Sequence, residues 1–166
     1  VLIRFDLKEE QIGLIVDEPT KVSLAASPSE LIANPYILAE QYVGKDADDK
    51  ITFNRIDRGV FPSPDLGASL GLEIDSWQRL RALAVQALQN ATQHTYLPLQ
   101  QVVSSVNESL GHLQERRQFK FKPQDFDIYK TELEPVLQFR QRAGISYVYL
   151  KKHYEDERFI EDTLRE

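Results

Sequence analysis

Apolar residues recur at three- and four-residue spacing through "DSWQRLRALAVQALQNATQ", where Trp77, Leu80, Ala84, Leu88 and Ala91 form one stripe. That period predicts an amphipathic helix. A second stripe, Leu99, Val102, Val103, Val106 and Leu110, predicts another helix opening at Pro98. Between them "HTYLP" is too short for a helix and carries the strand-forming residues Thr95 and Tyr96. "PQDFDIYKTELE" predicts a third helix. Pro135 should stop it near Leu133, because proline has no amide donor and clashes with the preceding turn. Two extended runs follow, "VLQFRQ" and "ISYVYL", joined through Arg142-Ala143-Gly144. Gly144 can supply the positive φ of a short hairpin loop. A charged helix over about 153–166 closes the chain, with Tyr154, Phe159 and Leu164 as packing points.

The N-terminal third reads as short helices with many stops. Asp6 with Glu9 predicts a capping box for a helix over roughly 7–16. Ser27 is a predicted cap, with Pro28 at the first helical position and Glu30 in the box. Asn34 before Pro35 predicts another helix, closed by Gly44. "KDADDK" reads as a solvated loop, "ITFNRIDRGVF" resumes apolar content, and "PSPDLGASLG" reads as a linker. The expected class is mainly α with a small β-hairpin. Its segments are a helical region over 1–66, a linker over 67–72, a winged helix over 73–152 and a helix over 153–166. Helix, short strand, helix, helix, β-hairpin is the order that defines the winged-helix expectation.

Composition narrows the function. With 42% hydrophobic and 28% charged residues the chain is globular rather than disordered. The absence of cysteine excludes disulfides, thiolate nucleophiles and zinc–thiolate sites. Lys+Arg 20 against Asp+Glu 26 argues against a sequence-independent DNA wrapper. A local basic face stays open, because screening limits distant acidic groups to ~8 Å. No apolar run approaches the ~20 residues of a membrane span, and no signal peptide opens the chain. The expected location is cytoplasmic, nucleoid-associated when bound to DNA, with no membrane partner. The chain lacks methionine altogether and is expected to be a piece of a longer protein.

No catalytic constellation emerges. GASLG at 67–71 matches a nucleophile elbow around Ser69, but no strand precedes it. "DADDK" at 46–50 begins like a calcium loop, yet Ile51 stands where the turn glycine is needed. His94, His112 and His153 lie far apart, and no phosphate-binding G-x-x-x-x-G-K-[ST] is present. The chain is therefore expected to be no enzyme and to hold no catalytic residue, metal or cofactor. The DNA-contact candidates are Arg116, Arg117, Lys120 and Lys122 in "RRQFKFK", with Arg140 and Arg142 near the hairpin turn. Alternation in "QFKFK" predicts an extended segment with Phe119 and Phe121 inward and both lysines outward. Those lysines either contact phosphate or form an ordinary solvated face. The third helix is acidic, so reading a duplex groove through it is unfavourable.

The motifs "QHTYLP" and "YVYLKKHYEDERFIEDTL" resemble the region ahead of the ATPase motor in RecD-like DNA helicases (the exodeoxyribonuclease V alpha-subunit type). "NPYILAEQY" and "ITFNRIDRG" resemble that family's helix–hairpin–helix region, in which Ile51, Phe53, Asp57 and Arg58 keep the hairpin pattern. The resemblance covers most of residues 27–166. Lys50 and Thr52 replace the hairpin glycines, so backbone phosphate binding is not carried over to them. The resemblance implies an accessory DNA-positioning module of a helicase used in DNA repair or recombination. Its partners would be single-stranded DNA or DNA ends and the motor in cis. ATP and magnesium belong to that parent motor. The alternative expectation is an acidic winged-helix module that binds protein and not DNA.

Overall fold

The computed structural model describes residues 2–66, 70–91 and 96–154, and the chain divides into two compact units, Val1–Glu73 and Ile74–Glu166. The protein is mainly helical, with one small antiparallel sheet.

In the first unit, α1 (Glu9–Asp17) starts at Lys8, whose backbone amide is held by Gln11 Oε1 at 3.0 Å. The expected Asp6–Glu9 box is not used. Asp6 takes a positive φ of 52°, outside the extended geometry of a helix N-cap. Ser27 caps α2 (Pro28–Ala33) as its spacing predicts, its Oγ accepting from Glu30 N. Asn34 is not an N-cap. It ends α2, and the next helix, α3 (Ile37–Gln41), begins three residues later. Gly44 likewise lies beyond the end of α3, and its lack of a side chain has another use. A Cβ there would collide with Asp49.

Thr52 caps α4 (Phe53–Val60) by accepting from Arg55 N. Gly59 lets α4 approach the N-terminal segment closely, since a Cβ would strike the Phe5 ring. Arg4 Nε then donates to the Gly59 carbonyl at 2.9 Å. The core gathers Phe5, Ile15, Leu38, Ile56 and Val60 around Tyr36, which stacks on Phe53. Ser69 and the centre of GASLG lie outside the described residues.

The second unit opens with α5 (Trp77–Asn90), which buries Leu80, Ala84 and Leu88 as its stripe requires. It also buries Arg79 and Arg81. Arg79 donates to the carbonyls of Ile74 and Arg117, and Arg81 to that of Glu132. Strand β1 (Tyr96–Pro98) leads directly into α6 (Leu99–Gly111). The predicted third helix is two pieces, α7 (Pro123–Ile128) and α8 (Lys130–Leu133), parted at Tyr129, where φ is −102° and ψ is 20°. Strands β2 (Leu137–Arg142) and β3 (Ile145–Leu150) form the hairpin, and β3 is central in the order β1-β3-β2. The hairpin loop is Ala143-Gly144, with φ of 52° and 79°. Two successive positive φ values match the twist of the flanking strands. The inner face of the sheet, Leu97, Leu137, Val148 and Leu150, joins Val102, Val106 and Leu110 in the core. Residues 151–154 are helical. The remainder of the segment expected to form a closing helix, with Phe159 and Leu164, lies outside the described residues, as does His94.

Candidate nucleic-acid interface

The outer face of the sheet is built by the same alternation that fills the core. In "YVYL" the odd positions, Tyr147 and Tyr149, point away from Val148 and Leu150. Antiparallel register sets Tyr96 opposite Tyr149 and Pro98 opposite Tyr147 on one side. On the other side Arg140 stands opposite Tyr147, and Arg142 opposite Ile145.

These positions make a continuous aromatic surface. The Tyr96 ring lies 5.1 Å from Tyr149, tilted by 35°, and 5.5 Å from Tyr147, edge-on. Tyr154, just past the sheet, adds an edge contact to Tyr149 at 5.2 Å. The Arg140 guanidinium sits 5.7 Å from the Tyr154 ring centre and donates to its hydroxyl at 2.6 Å. Tyr149 is buried beneath its neighbours, Tyr147 and Tyr154 are half-buried, and Tyr96 is 40% exposed. Arg140, Arg142 and Ile145 are exposed at the hairpin end. Rings fixed by their neighbours lose little freedom when a planar group stacks on them, and the arginines supply positive charge beside it.

The segment 116–122 is arranged differently. Arg117 is 3% exposed, and its carbonyl accepts from the buried Arg79 at 2.9 Å. It is withdrawn from the set of phosphate contacts because its side chain belongs to the interior. Arg116 is exposed and donates to Gln114 Oε1. Phe121 is buried, with Phe119 packed edge-on against it at 4.8 Å, and Lys120 and Lys122 project outward. Asn107 holds the segment extended by bonding both the amide and the carbonyl of Phe121, at 2.8 and 2.9 Å. The accessible basic candidates are thus Arg116, Lys120 and Lys122 on this segment, and Arg140 and Arg142 on β2. Only the β2 pair shares a face with the tyrosines.

Charge separates the two units. Residues 1–73 carry seven Lys and Arg against thirteen Asp and Glu, whereas 74–166 carry thirteen against thirteen. The net charge of -6 therefore resides wholly in the first unit.

The four residues on which the hairpin resemblance rests, Ile51, Phe53, Asp57 and Arg58, do structural work in that unit. Ile51 and Phe53 are core residues, and Asp57 is fully buried and accepts from the Tyr36 hydroxyl at 2.6 Å. Arg58 is exposed and pairs with Asp6 at 3.6 Å. The loop before them is only partly the solvated turn its composition predicts. Asp49 accepts hydrogen bonds from Gln11 Nε2, Tyr42 Oη and Lys45 N. The Gln11 bond is the main reason the Asp49 carboxyl is held below its ordinary range. Burial, then the bond to Asp49, push the Tyr42 phenol up to about 12.

Among the described residues no group of three or more His, Asp or Glu is placed to hold a metal ion, and no helix is long and apolar enough to cross a membrane. No family model, curated protein or solved structure matches the chain.

Proposed function

We propose that the chain is a non-catalytic DNA-positioning module of a RecD-like, ATP-dependent helicase, and that it touches single-stranded DNA through the outer face of its sheet. The observation that carries this reading is the cluster Tyr96, Tyr147, Tyr149 and Tyr154 beside Arg140 and Arg142. Base stacking on tyrosine tolerates any sequence, and arginine neutralises phosphate, which suits a module that guides a strand rather than reads it. The helix–strand–helix–helix–hairpin order with sheet order β1-β3-β2 supports a winged helix in the second unit. The short, acidic α7 and α8 favour contact through the hairpin rather than through a helix in the major groove. The motifs that resemble the pre-motor region support the helicase assignment, with ATP and magnesium bound by the motor and not by these residues.

Fluorescence anisotropy with labelled oligothymidylate tests the reading. Tyr96→Ala should weaken binding by about 1–3 kcal/mol. Arg140→Ala with Arg142→Ala should flatten the dependence of log K on log salt by about 0.7 per lost contact. Lys120→Ala with Lys122→Ala should matter less. Binding that responds to the lysine pair and ignores the tyrosine and arginine changes would move the interface to 116–122.

The second reading, a protein-binding module without DNA contact, draws on the acidic residues Asp125, Asp127, Glu132 and Glu134 around Ile128, which is 68% exposed. Absence of binding to single-stranded, duplex and forked DNA would put it first.

A further inference from the structure

An open groove of about 420 Å³ runs across the first unit, lined by Phe5, Ile15, Val16, Leu31, Ile32 and Leu38 together with prolines and small apolar residues. Two of its walls stand in water, with Val16 64% and Ile32 63% exposed. Contiguous exposed apolar surface of this kind marks an interaction site more often than isolated apolar residues do. The lining offers no polar side chain to orient a small molecule, and ligand pockets depend on a few such groups.

The charge around the groove selects the occupant. Of the six acidic side chains between residues 2 and 38, which contain every lining residue, Asp6, Glu10 and Glu18 pair with Arg58, Lys45 and Lys21, whereas Glu9, Asp17 and Glu30 join none of the described ion pairs. Exposed Glu9 and Asp17 belong to α1, which also supplies Ile15 and Val16, and exposed Glu30 precedes Leu31 and Ile32 on α2. A second copy meeting this groove through its own would bring a like-charged surface to it. We propose that the groove docks a basic amphipathic helix of a partner protein, with leucine-like anchors on the apolar floor and lysines or arginines over the acidic rim. This docking site is separate from the sheet face of the second unit, and either can fail without the other.

The probe is a labelled amphipathic peptide of about fourteen residues, leucine on one face and lysine on the other, titrated against the full chain. Saturable binding is expected, weakened by salt and not shown by a leucine–glutamate peptide of the same pattern. Val16→Asn with Ile32→Asn leaves the net charge unchanged and should weaken binding at least about tenfold. Asp17→Asn with Glu30→Gln provides an independent arm and should weaken binding mainly at low salt. Equal affinity for the glutamate peptide, or indifference to both double variants, would overturn the proposal. So would a concentration-dependent dimer in sedimentation that the Val16/Ile32 variant abolishes, which would assign the groove to a second copy.

Discussion

The two units place their buried polar groups differently. The first buries carboxylate at Asp57, which is fully enclosed, and half-buried Asp49 earlier in the chain collects three hydrogen bonds. The second buries guanidinium: Arg79 and Arg81 lie inside and reach backbone carbonyls of distant segments. In the first, polar burial ties a loop to its own helices. In the second it ties α5 to the entry of the 116–122 segment and to α8. A charged group is retained inside only where its hydrogen bonds repay desolvation. The comparison therefore identifies the contacts whose loss should cost most.

Arg79→Met should be the largest of these effects. It removes two charge-assisted bonds and strands the Ile74 and Arg117 carbonyls, a loss of about 3 kcal/mol or more in denaturant unfolding. Protection of the Phe121 amide from hydrogen exchange should fall with it, because that segment loses its anchor at Arg117. A stability change of a few tenths would show that Arg79 does not hold the segment. Tyr36→Phe is the matching change in the first unit. It leaves the buried Asp57 carboxylate without one donor and should cost about 1–3 kcal/mol.

The Asp49–Tyr42 pair sharpens the comparison through pH. The Tyr42 pKa is raised, so its contribution is complete below 10.0 and is lost as pH rises towards about 12. The Asp49 pKa is lowered from 3.8, so its contribution is present above that value and is lost as the solution is acidified below it. Tyr42→Phe should flatten the alkaline limb of the stability profile between pH 10 and 12. Parallel alkaline limbs in the two proteins would remove Tyr42 from the explanation.

Much of this architecture is legible in the sequence, for particular reasons. Repeated apolar spacing identifies α5 and α6, and the Ser27-Pro28-Glu30 signal identifies α2, because burial and capping are local in sequence. Arg79 and Arg81 are not legible, since their partners lie 38 and 51 residues away. Asn34 before Pro35 imitates a cap, yet the residue ends α2 through its backbone amide, and its side chain is buried. The basic strip 116–122 stands out in the sequence, whereas the tyrosine surface has to be assembled from β1, β3 and residue 154. Its one local sign is the alternation in "YVYL", which turns two tyrosines to the same side.

The smallest effect concerns the turn that sets the register of that surface. Ala143 has φ of 52°, a left-handed conformation that costs a residue with a Cβ about 1–2 kcal/mol. Glycine removes this penalty but gives back ~0.5–1 kcal/mol through greater freedom of the unfolded chain. Ala143→Gly should therefore stabilise the second unit by about 0.5–1 kcal/mol in denaturant unfolding. The register from Leu137↔Leu150 to Arg142↔Ile145 is fixed by the ladder as well as by the loop, so Arg140 should remain opposite Tyr147. If the proposed interface is right, the affinity of the variant for single-stranded DNA should then match that of the parent chain. Higher stability with altered affinity would mean that the Ala143 backbone itself meets the strand, and the interface would extend past the tyrosines to the tip of the hairpin.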